Sequence, residues 1–363
     1  MSFQLTATQL SRIRDFLARH VPKPIGPLRA AILSGGRSNI TYKISDGSSS
    51  WVLRRRPATV TAAGEHDVLR EFRVLRALAG TGVPTPRAVA ACQAPGVLSV
   101  PFTVLEHLDG VVRVANDTAP RLSAEAACRL SLTVADVLAR IHHVRVIGTD
   151  LAALGRPGGF LGRQLDRWEA LARGQETTWP PGLETLFTLL RITCPRTHTV
   201  GLVHGDFHLG NLMFDELLPD RLVAVLDWEM ATIGDPLTDV GLLAATWEGH
   251  GQAPNPVLRG ASTGPGFAAT AELLHHYAAA SGTSLDAVDW YIVFAKVKIA
   301  VLLRQIRWRE ARQLGSSVVS TVSAADSSHM INEALRLVGT SQFFGRRQGS
   351  RRKGSSWSSL KTT

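Results

Sequence analysis

The stretch from Leu202 to Gly241 reads LVHGDFHLGNLMFDELLPDRLVAVLDWEMATIGDPLTDVG. Two apolar, β-like runs, Gly201–Val203 and Leu222–Leu226, each deliver a polar cluster at their C-terminal end. The first cluster is His204-Gly205-Asp206-Phe207-His208-Leu209-Gly210-Asn211, and the second opens at Asp227. Leu212–Phe214 between them reads as a short strand. Asp206 and Asn211 are five apart on one loop, and Asp227 follows sixteen residues after Asn211. That spacing suits phosphoryl transfer. One Asp orients the acceptor hydroxyl, an Asn on the same loop holds a metal, and a second Asp beyond a short hairpin binds the metals that bridge the phosphates.

In protein kinases the corresponding set is H-R-D-x-x-x-x-N followed by D-F-G. Here it is H-G-D-F-H-L-G-N followed by D-W-E. Asp and Asn are ordinary turn and capping residues, but capping does not account for their joint spacing. His204 reads as a structural residue of the loop. His208 is divided between the acceptor site and loop structure. Glu229 replaces the glycine of D-F-G, either near the metal or as a solvated carboxylate. Asp235 and Asp239 read as braces of the loop and the next helix.

Working outward, the front of the chain supplies partners. Ala30–Leu33, Ile40–Ile44 and Trp51–Arg54 read as an antiparallel meander. The turn Ser34-Gly35-Gly36-Arg37-Ser38-Asn39 joins its first two strands. Glycines there let backbone N–H groups approach phosphates; a plain hairpin turn is the alternative for Gly35-Gly36, and the residues that follow favour the phosphate role. Arg54 lies where a kinase carries its phosphate-binding Lys, and Glu71, in the helix predicted over Glu65–Leu78, lies where the partner carboxylate belongs. Arg grips phosphate bidentately with a geometry unlike that of Lys. Alternation along the strand puts Arg54 and Arg56 on one face. A fourth and fifth strand are expected within Val97–Glu106, completing a small α+β unit over residues 1–106.

The rest is largely helical. The pattern predicts helices over Thr8–His20, Ser123–His143, Phe160–Arg173, Leu183–Arg191, Ala268–Ser281 and Leu285–Gln313. This makes residues 107–340 the larger unit. Residues 341–363, rich in Gly, Ser and Arg from Gly345 onward, read as a disordered tail.

Composition narrows the classes. At 363 residues, 45% hydrophobic and 19% charged, the chain can bury a core and is neither a collagen-like repeat nor a disulfide scaffold. Cys92, Cys128 and Cys194 are scattered, with no C-x-x-C pair, which fits a reducing cytosol. The net charge of +10 is unevenly spread: residues 1–106 hold 14 Lys/Arg against 6 Asp/Glu, while residues 107–340 hold 20 against 24. A basic front half suits a nucleotide. The acidic body and 6% aromatic content argue against a nucleic-acid surface. No apolar run is long enough to span a bilayer, and Met1 to His20 lacks a signal-peptide pattern. The expected location is cytoplasmic.

SGGRSNITY, WVLRRRP, HDVLREFRVLRAL, PFTVLEHLDG, GFLGRQLDRW, LVHGDFHLGNLMF, VLDWEMATIGDPLTDVG and WYIVFAKVKIAVLL together resemble the aminoglycoside phosphotransferase family. The subgroup they look most like is the kinase-like domain joined to certain acyl-CoA dehydrogenases. The resemblance runs over roughly residues 25–340. It implies a two-lobed, protein-kinase-like α+β fold, ATP and Mg²⁺ as cofactors, and transfer of the γ-phosphate to a hydroxyl of a small molecule. It assigns Asp206 as the catalytic Asp and Asn211 and Asp227 as metal ligands. Nucleotide binding falls to Gly35, Gly36, Ser38, Asn39, Arg54, Glu71, and a hinge from Glu106 to Leu108. His208 and Glu229 are candidates for the acceptor site. The subgroup points to a hydroxy acid or its coenzyme A thioester, with Arg113, Arg163 or Arg167 as candidate partners of the anion, and to a link with acyl-CoA metabolism. An aminoglycoside-like acceptor stays open. Two other readings compete: a metal-dependent hydrolase on His204, Asp206 and His208, and a catalytically silent nucleotide-binding module, suggested by Arg54.

Overall fold

The computed structural model describes residues 4–21, 26–35, 39–56, 68–114, 121–174, 179–196, 199–314 and 322–351. The chain opens with helix α1 (Ala7–Leu17), closed at its start by a capping box between Thr6 and Gln9. Three strands follow, β1 (Arg29–Gly35), β2 (Ile40–Ser45) and β3 (Ser50–Arg55). The β2–β3 turn is set by Asp46, whose Oδ1 accepts the N–H groups of Ser48 at 2.9 Å and Ser49 at 2.7 Å. Helix α2 (Val68–Leu78) leads to β4 (Ala88–Cys92) and β5 (Phe102–Glu106). The five strands form one antiparallel sheet in the order β1-β2-β3-β5-β4.

The fourth strand is a correction. It lies at Ala88–Cys92 rather than within Val97–Glu106, where only β5 forms. An Ala-rich run has weak strand propensity. Pairing with β5 and burial of Ala90 and Cys92 decide it.

The chain then passes through β6 (Val111–Val112) into α3 (Ala124–His142), which starts on a Ser123 cap. Its buried stripe includes Leu130, Val134, Val137, Leu138 and Ile141, as its 3.6-residue period requires. Helices α4 (Phe160–Arg173) and α5 (Leu183–Ile192) follow. The β-rich interlude holds β7 (Gly201–Val203), β8 (Leu212–Phe214), β9 (Leu222–Val225) and β10 (Thr232–Gly234). β7 pairs with β10, and β8 pairs with both β6 and β9. Helices α6 (Leu237–Thr246), α7 (Thr270–Ser281), α8 (Val288–Leu314), α9 (Ala324–Thr340) and α10 (Gln342–Arg351) close the chain.

The sheet and α1 share one apolar cluster around Tyr42, Trp51 and Phe102. Helix α2 does not belong to it: Phe72 and Leu75 pack into the cluster of α3 and the interlude. Helices α4, α5, α6, α9 and α10 pack around α8, whose Trp290, Phe294 and Val297 are buried, whereas α7 packs on α3 through Leu273 and Tyr277. Helix α6 is buried on nearly every side, so no amphipathic stripe announces it in the sequence. It lies so close to α8 that a Cβ at Gly241 would stand 2.4 Å from the Tyr291 carbonyl oxygen. The expected disorder from Gly345 does not hold up to Arg351, because those residues continue α10, anchored by the fully buried Phe344. Residues 352–363 lie outside the described residues.

Candidate active site

The loop after β7 is pinned from three sides. The buried His204 ring uses both nitrogens on backbone: Nδ1 accepts the Asp206 N–H at 3.2 Å, and Nε2 therefore donates to the Leu226 carbonyl at 3.0 Å. Burial holds this imidazole below its usual pKa, against the pull of Asp239, Asp206 and Asp227. Asp239, buried in the first turn of α6, accepts the His204 N–H at 2.6 Å and the Gly205 N–H at 2.8 Å. Gly205 sits at φ +85°, a conformation glycine adopts without steric cost. Its carbonyl accepts a hydrogen bond from the Lys298 ammonium on α8. The Gly205–Asp206 peptide is thus held at its C=O by Lys298 and at its N–H by His204.

Asp206 and Asn211 meet as their spacing suggests. Asn211 Nδ2 donates to the Asp206 carbonyl at 2.8 Å and to Asp206 Oδ2 at 3.0 Å. Nδ1 of His208 accepts the Gly210 N–H at 3.1 Å, while its Nε2 lies 3.5 Å from Asp206 Oδ2. So His208 serves the loop and faces the carboxylate at once. Burial raises the Asp206 pKa, but His208, Lys298 and His204 outweigh it and hold the carboxyl well below the usual range.

Asp227 closes the β8–β9 hairpin, and the Leu226 N–H bonds back to the Asn211 carbonyl at 2.8 Å. Asp227 itself adopts φ 62°, ψ 64°, a left-handed conformation uncommon outside glycine and concentrated at functional sites. Arg54 on β3 is ion-paired to Glu71 of α2, and its Nη2 lies 3.6 Å from Asp227 Oδ1. Arg55 turns to the other face, where its Nη2 donates to the Tyr42 hydroxyl at 2.7 Å. Of these two, Arg54 is the one that faces the site. Asn39, almost fully buried, donates from Nδ2 to Glu229 Oε2 at 3.2 Å. Arg70, beside Glu71, donates to the carbonyls of Leu154 and Ala231 at 2.7 and 2.6 Å. It ties α2 to the loop after Asp227.

Glu71, Asp227 and Glu229 all act on Arg54 through their charge. Burial, with Asp227 and Glu229 adding to it, pushes the Glu71 carboxyl up to about 7 despite Arg54. Asp227 is likewise raised, first by burial. Asp227 Oδ1 is buried without a hydrogen bond among the described residues, and so is Glu71 Oε2. Oxygen donors of this kind are the chemistry a hard divalent cation requires, and Asp227 Oδ1 and the Asn211 amide oxygen are the groups here that could hold one. The site does not fit the metal hydrolase. Both nitrogens of His204 are spent on backbone. Among the described residues no group of three His, Cys, Asp or Glu is arranged to hold a metal.

Other expected residues fall as follows. Gly35 ends β1, paired with Ile40, whereas Gly36 and Ser38 lie outside the described residues. Glu106 ends β5, and its backbone N–H is bonded to the Arg87 carbonyl at 2.9 Å. Leu108 follows in irregular, half-buried chain. Asp235 accepts from the Tyr291 hydroxyl at 2.7 Å, a brace between the interlude and α8. Beside Gly205 and Glu229 lies a cavity of about 440 Å³, walled by Phe160, Trp168 and Phe294 and edged by Lys298, Arg167 and Arg309. Arg163 instead donates to the carbonyls of Gly158 and Arg156, and Arg113 does not line the cavity. A larger cavity of about 1420 Å³ lies between the ends of α3, α5 and α7–α10, and none of Asp206, Asn211 and Asp227 lines it. Lys298 and Arg70 were not legible as site residues. The available signal was a lysine within the apolar run of α8, since lysines are seldom buried without a task.

The model of the phosphotransferase enzyme family (APH) matches residues 29–290. The chain belongs to this family. The mouse acyl-CoA dehydrogenase family member 10 is 31% identical over 305 residues, covering 82% of this chain. The chain spans only 28% of that relative's length. The crystal structure of an aminoglycoside-phosphotransferase-like protein of Ralstonia eutropha superposes with a TM-score of 0.73 at 26% identity, over 93% of this chain and 98% of that one. A ternary complex of aminoglycoside phosphotransferase APH(4)-Ia with AMP-PNP and hygromycin B shares the fold, with a TM-score of 0.57 at 16% identity over 91% of this chain and 100% of that one. The fold is accordingly the two-lobed, kinase-like one of the phosphotransferases, a small sheet layer followed by a mainly helical region.

Proposed function

We propose that this family member is a small-molecule kinase, which transfers the γ-phosphate of ATP to a hydroxyl of a small metabolite with Mg²⁺ as cofactor. The observation that carries the reading is the joining of Asp206 to Asn211 on one loop, opposite an Asp227 whose buried Oδ1 accepts no hydrogen bond among the described residues and lies 3.6 Å from Arg54. In this reading residues 1–106 grip the nucleotide and residues 107–340 carry the catalytic loop and the acceptor, leaving 341–363 outside both tasks. The Arg54–Glu71 pair anchors phosphate oxygens, the Gly35-Gly36 turn covers them, and the chain around Glu106 and Leu108 meets the base. Asn211 and Asp227 hold Mg²⁺, which supplies positive charge where the transferring phosphoryl group develops negative charge.

Asp206 orients the acceptor hydroxyl. Its carboxyl is held low, so it is a weak base in the ground state and takes the proton late. The hydroxyl oxygen forms its bond to the γ-phosphorus as the bridging P–O bond to ADP breaks, and the hydroxyl proton passes to Asp206. A hydroxy acid or its coenzyme A thioester is favoured over a polycationic aminoglycoside, because Lys298, Arg167 and Arg309 edge the cavity beside Gly205. A functional link to acyl-CoA metabolism accords with the name of the mouse relative.

The test is thermal shift with ATP or GTP, with and without Mg²⁺, followed by phosphate transfer to hydroxy acids, their thioesters and aminoglycosides. The reading requires a Mg²⁺-dependent rise in melting temperature. No rise with either nucleotide refutes it.

A further inference from the structure

Lys298 is a buried cation to which the reaction above gives no task. It is 8% exposed, between Val297 and Ile299 of α8, which are buried as well. A buried ammonium is costly unless its surroundings compensate it. Here it donates to the Gly205 carbonyl and stands over the Trp168 ring of α4, 5.6 Å from the ring centre, where the aromatic face attracts a cation. Asp206 and Asp239 act on it favourably through their charge, and Arg167 opposes them. The bond to Gly205 falls at the soft point of the catalytic loop. Gly205 lies at φ +85°, and a glycine lets the peptide that follows it rotate over a wider range than other residues do. That peptide carries Asp206. Asp239 takes the N–H groups of His204 and Gly205, which lie before it. The Gly205–Asp206 peptide itself has Lys298 at its C=O and His204 Nδ1, at 3.2 Å, at its N–H. The second of these contacts stays within the loop, so Lys298 is the tie from this peptide to a helix.

We propose that Lys298 is a positioning residue, which fixes the plane of the Gly205–Asp206 peptide and so aims the Asp206 carboxylate at the acceptor hydroxyl. The Trp168 ring seats its ammonium. The proposal rests on the kinase reading above, which makes Asp206 the group that faces the acceptor. Lys298, Trp168 and Gly205 also line the cavity beside the loop. Helices α4 and α8, which shape that space, therefore set the direction of the carboxylate as well, and the two keep one frame. Without the ammonium the peptide turns about Gly205. The carboxylate is then presented off line, while the groups that hold the nucleotide are untouched. A misplacement of about 1 Å at a reacting group costs on the order of 10²-fold in rate.

The test uses the full chain with Lys298→Met, which keeps an unbranched apolar stem and removes the ammonium. Amide hydrogen exchange without nucleotide reads the peptide directly. The Asp206 amide exchanges faster than in the wild type, while the His204 and Gly205 amides, held by Asp239, keep their protection. With ATP and Mg²⁺, phosphate release to water and transfer to hydroxy acids, their thioesters and aminoglycosides fall by about 10- to 100-fold. Affinity for a nonhydrolysable ATP analogue, titrated by calorimetry, stays unchanged. Lys298→Arg restores a cation and a donor and recovers most of the rate. A role in stability alone loosens all three amides together and is not repaired in this way. Lys298→Gln, polar and of shorter reach, decides the matter if Lys298→Met folds poorly. Unchanged protection of Asp206 in the neutral variants overturns the proposal, and so does equal acceleration at the three amides or turnover at the wild-type rate. If the wild-type chain binds no nucleotide or transfers no phosphate, the kinase reading itself has failed, a result that the exchange measurement, made without nucleotide, keeps distinct.

Discussion

Replacing Asp239 by Ala isolates how much of the catalytic loop's geometry depends on one buried carboxylate. Asp239 is 1% exposed and accepts the N–H groups of His204 and Gly205 at 2.6 and 2.8 Å, with His142 Nε2 at 3.4 Å. Among the described residues no second acceptor is bonded to either backbone group. Each buried N–H left unmatched costs about 1–3 kcal/mol, so the two together cost about 2–6 kcal/mol. Domains of ordinary stability hold about 5–15 kcal/mol in all. The variant is therefore expected to lose a large part of its stability. Asp239→Asn keeps one acceptor oxygen and sets an amide donor against the other N–H, so its loss falls between wild type and Ala. The assay is urea denaturation of the three proteins, joined to amide hydrogen exchange at His204 and Gly205. Faster exchange at these two amides, ahead of the rest of β7, marks the loop as the site of damage. An Ala variant within 1 kcal/mol of wild type, with both amides still protected, refutes the reasoning.

Further expectations concern the same site. Asp206→Ala is expected to lower turnover by about 10²- to 10⁴-fold, the usual range for a positioned acid–base group, with nucleotide affinity nearly unchanged; near-normal turnover sinks the assignment. In Asp227→Ala the Mg²⁺-dependent part of nucleotide binding is lost, which titration with ATP at varied Mg²⁺ reads directly. Glu71→Gln tests the buried carboxyl pushed up to about 7. A carboxyl raised in the fold binds its proton more tightly there than in the unfolded chain, so wild-type stability relative to Glu71→Gln is fully present below about pH 4.5 and falls between there and about pH 7 by up to about 1.4 kcal/mol per unit. Denaturation across that window without Mg²⁺ checks it, and a flat difference counts against the raised pKa. Gly241→Ala, which places a methyl 2.4 Å from the Tyr291 carbonyl oxygen, should cost about 1–3 kcal/mol by forcing α6 off α8; an unchanged denaturation midpoint refutes that packing.

Much of this protein is determined by residue order alone. The meander of β1 to β3, the helices α3, α4 and α5, and the loop joining Asp206 to Asn211 follow from local periodicity, turn residues and spacing, which neighbouring residues carry by themselves. The pairing of Arg54 with Glu71 was also legible, because a strand and the helix after it stand at a fixed remove in this pattern. Tertiary structure alone decided the rest. β4 is Ala-rich and forms because β5 offers it an edge, and α6 is apolar all round because it is enclosed. Lys298 lies ninety-two positions beyond Asp206, on a helix whose apolar neighbours say only that it is buried. Its meeting with Gly205 and Trp168 depends on how three separate elements pack. Periodicity encodes which face of an element is buried. Which polar group waits on that buried face, and for what partner, is written only in the contacts between elements far apart in the chain.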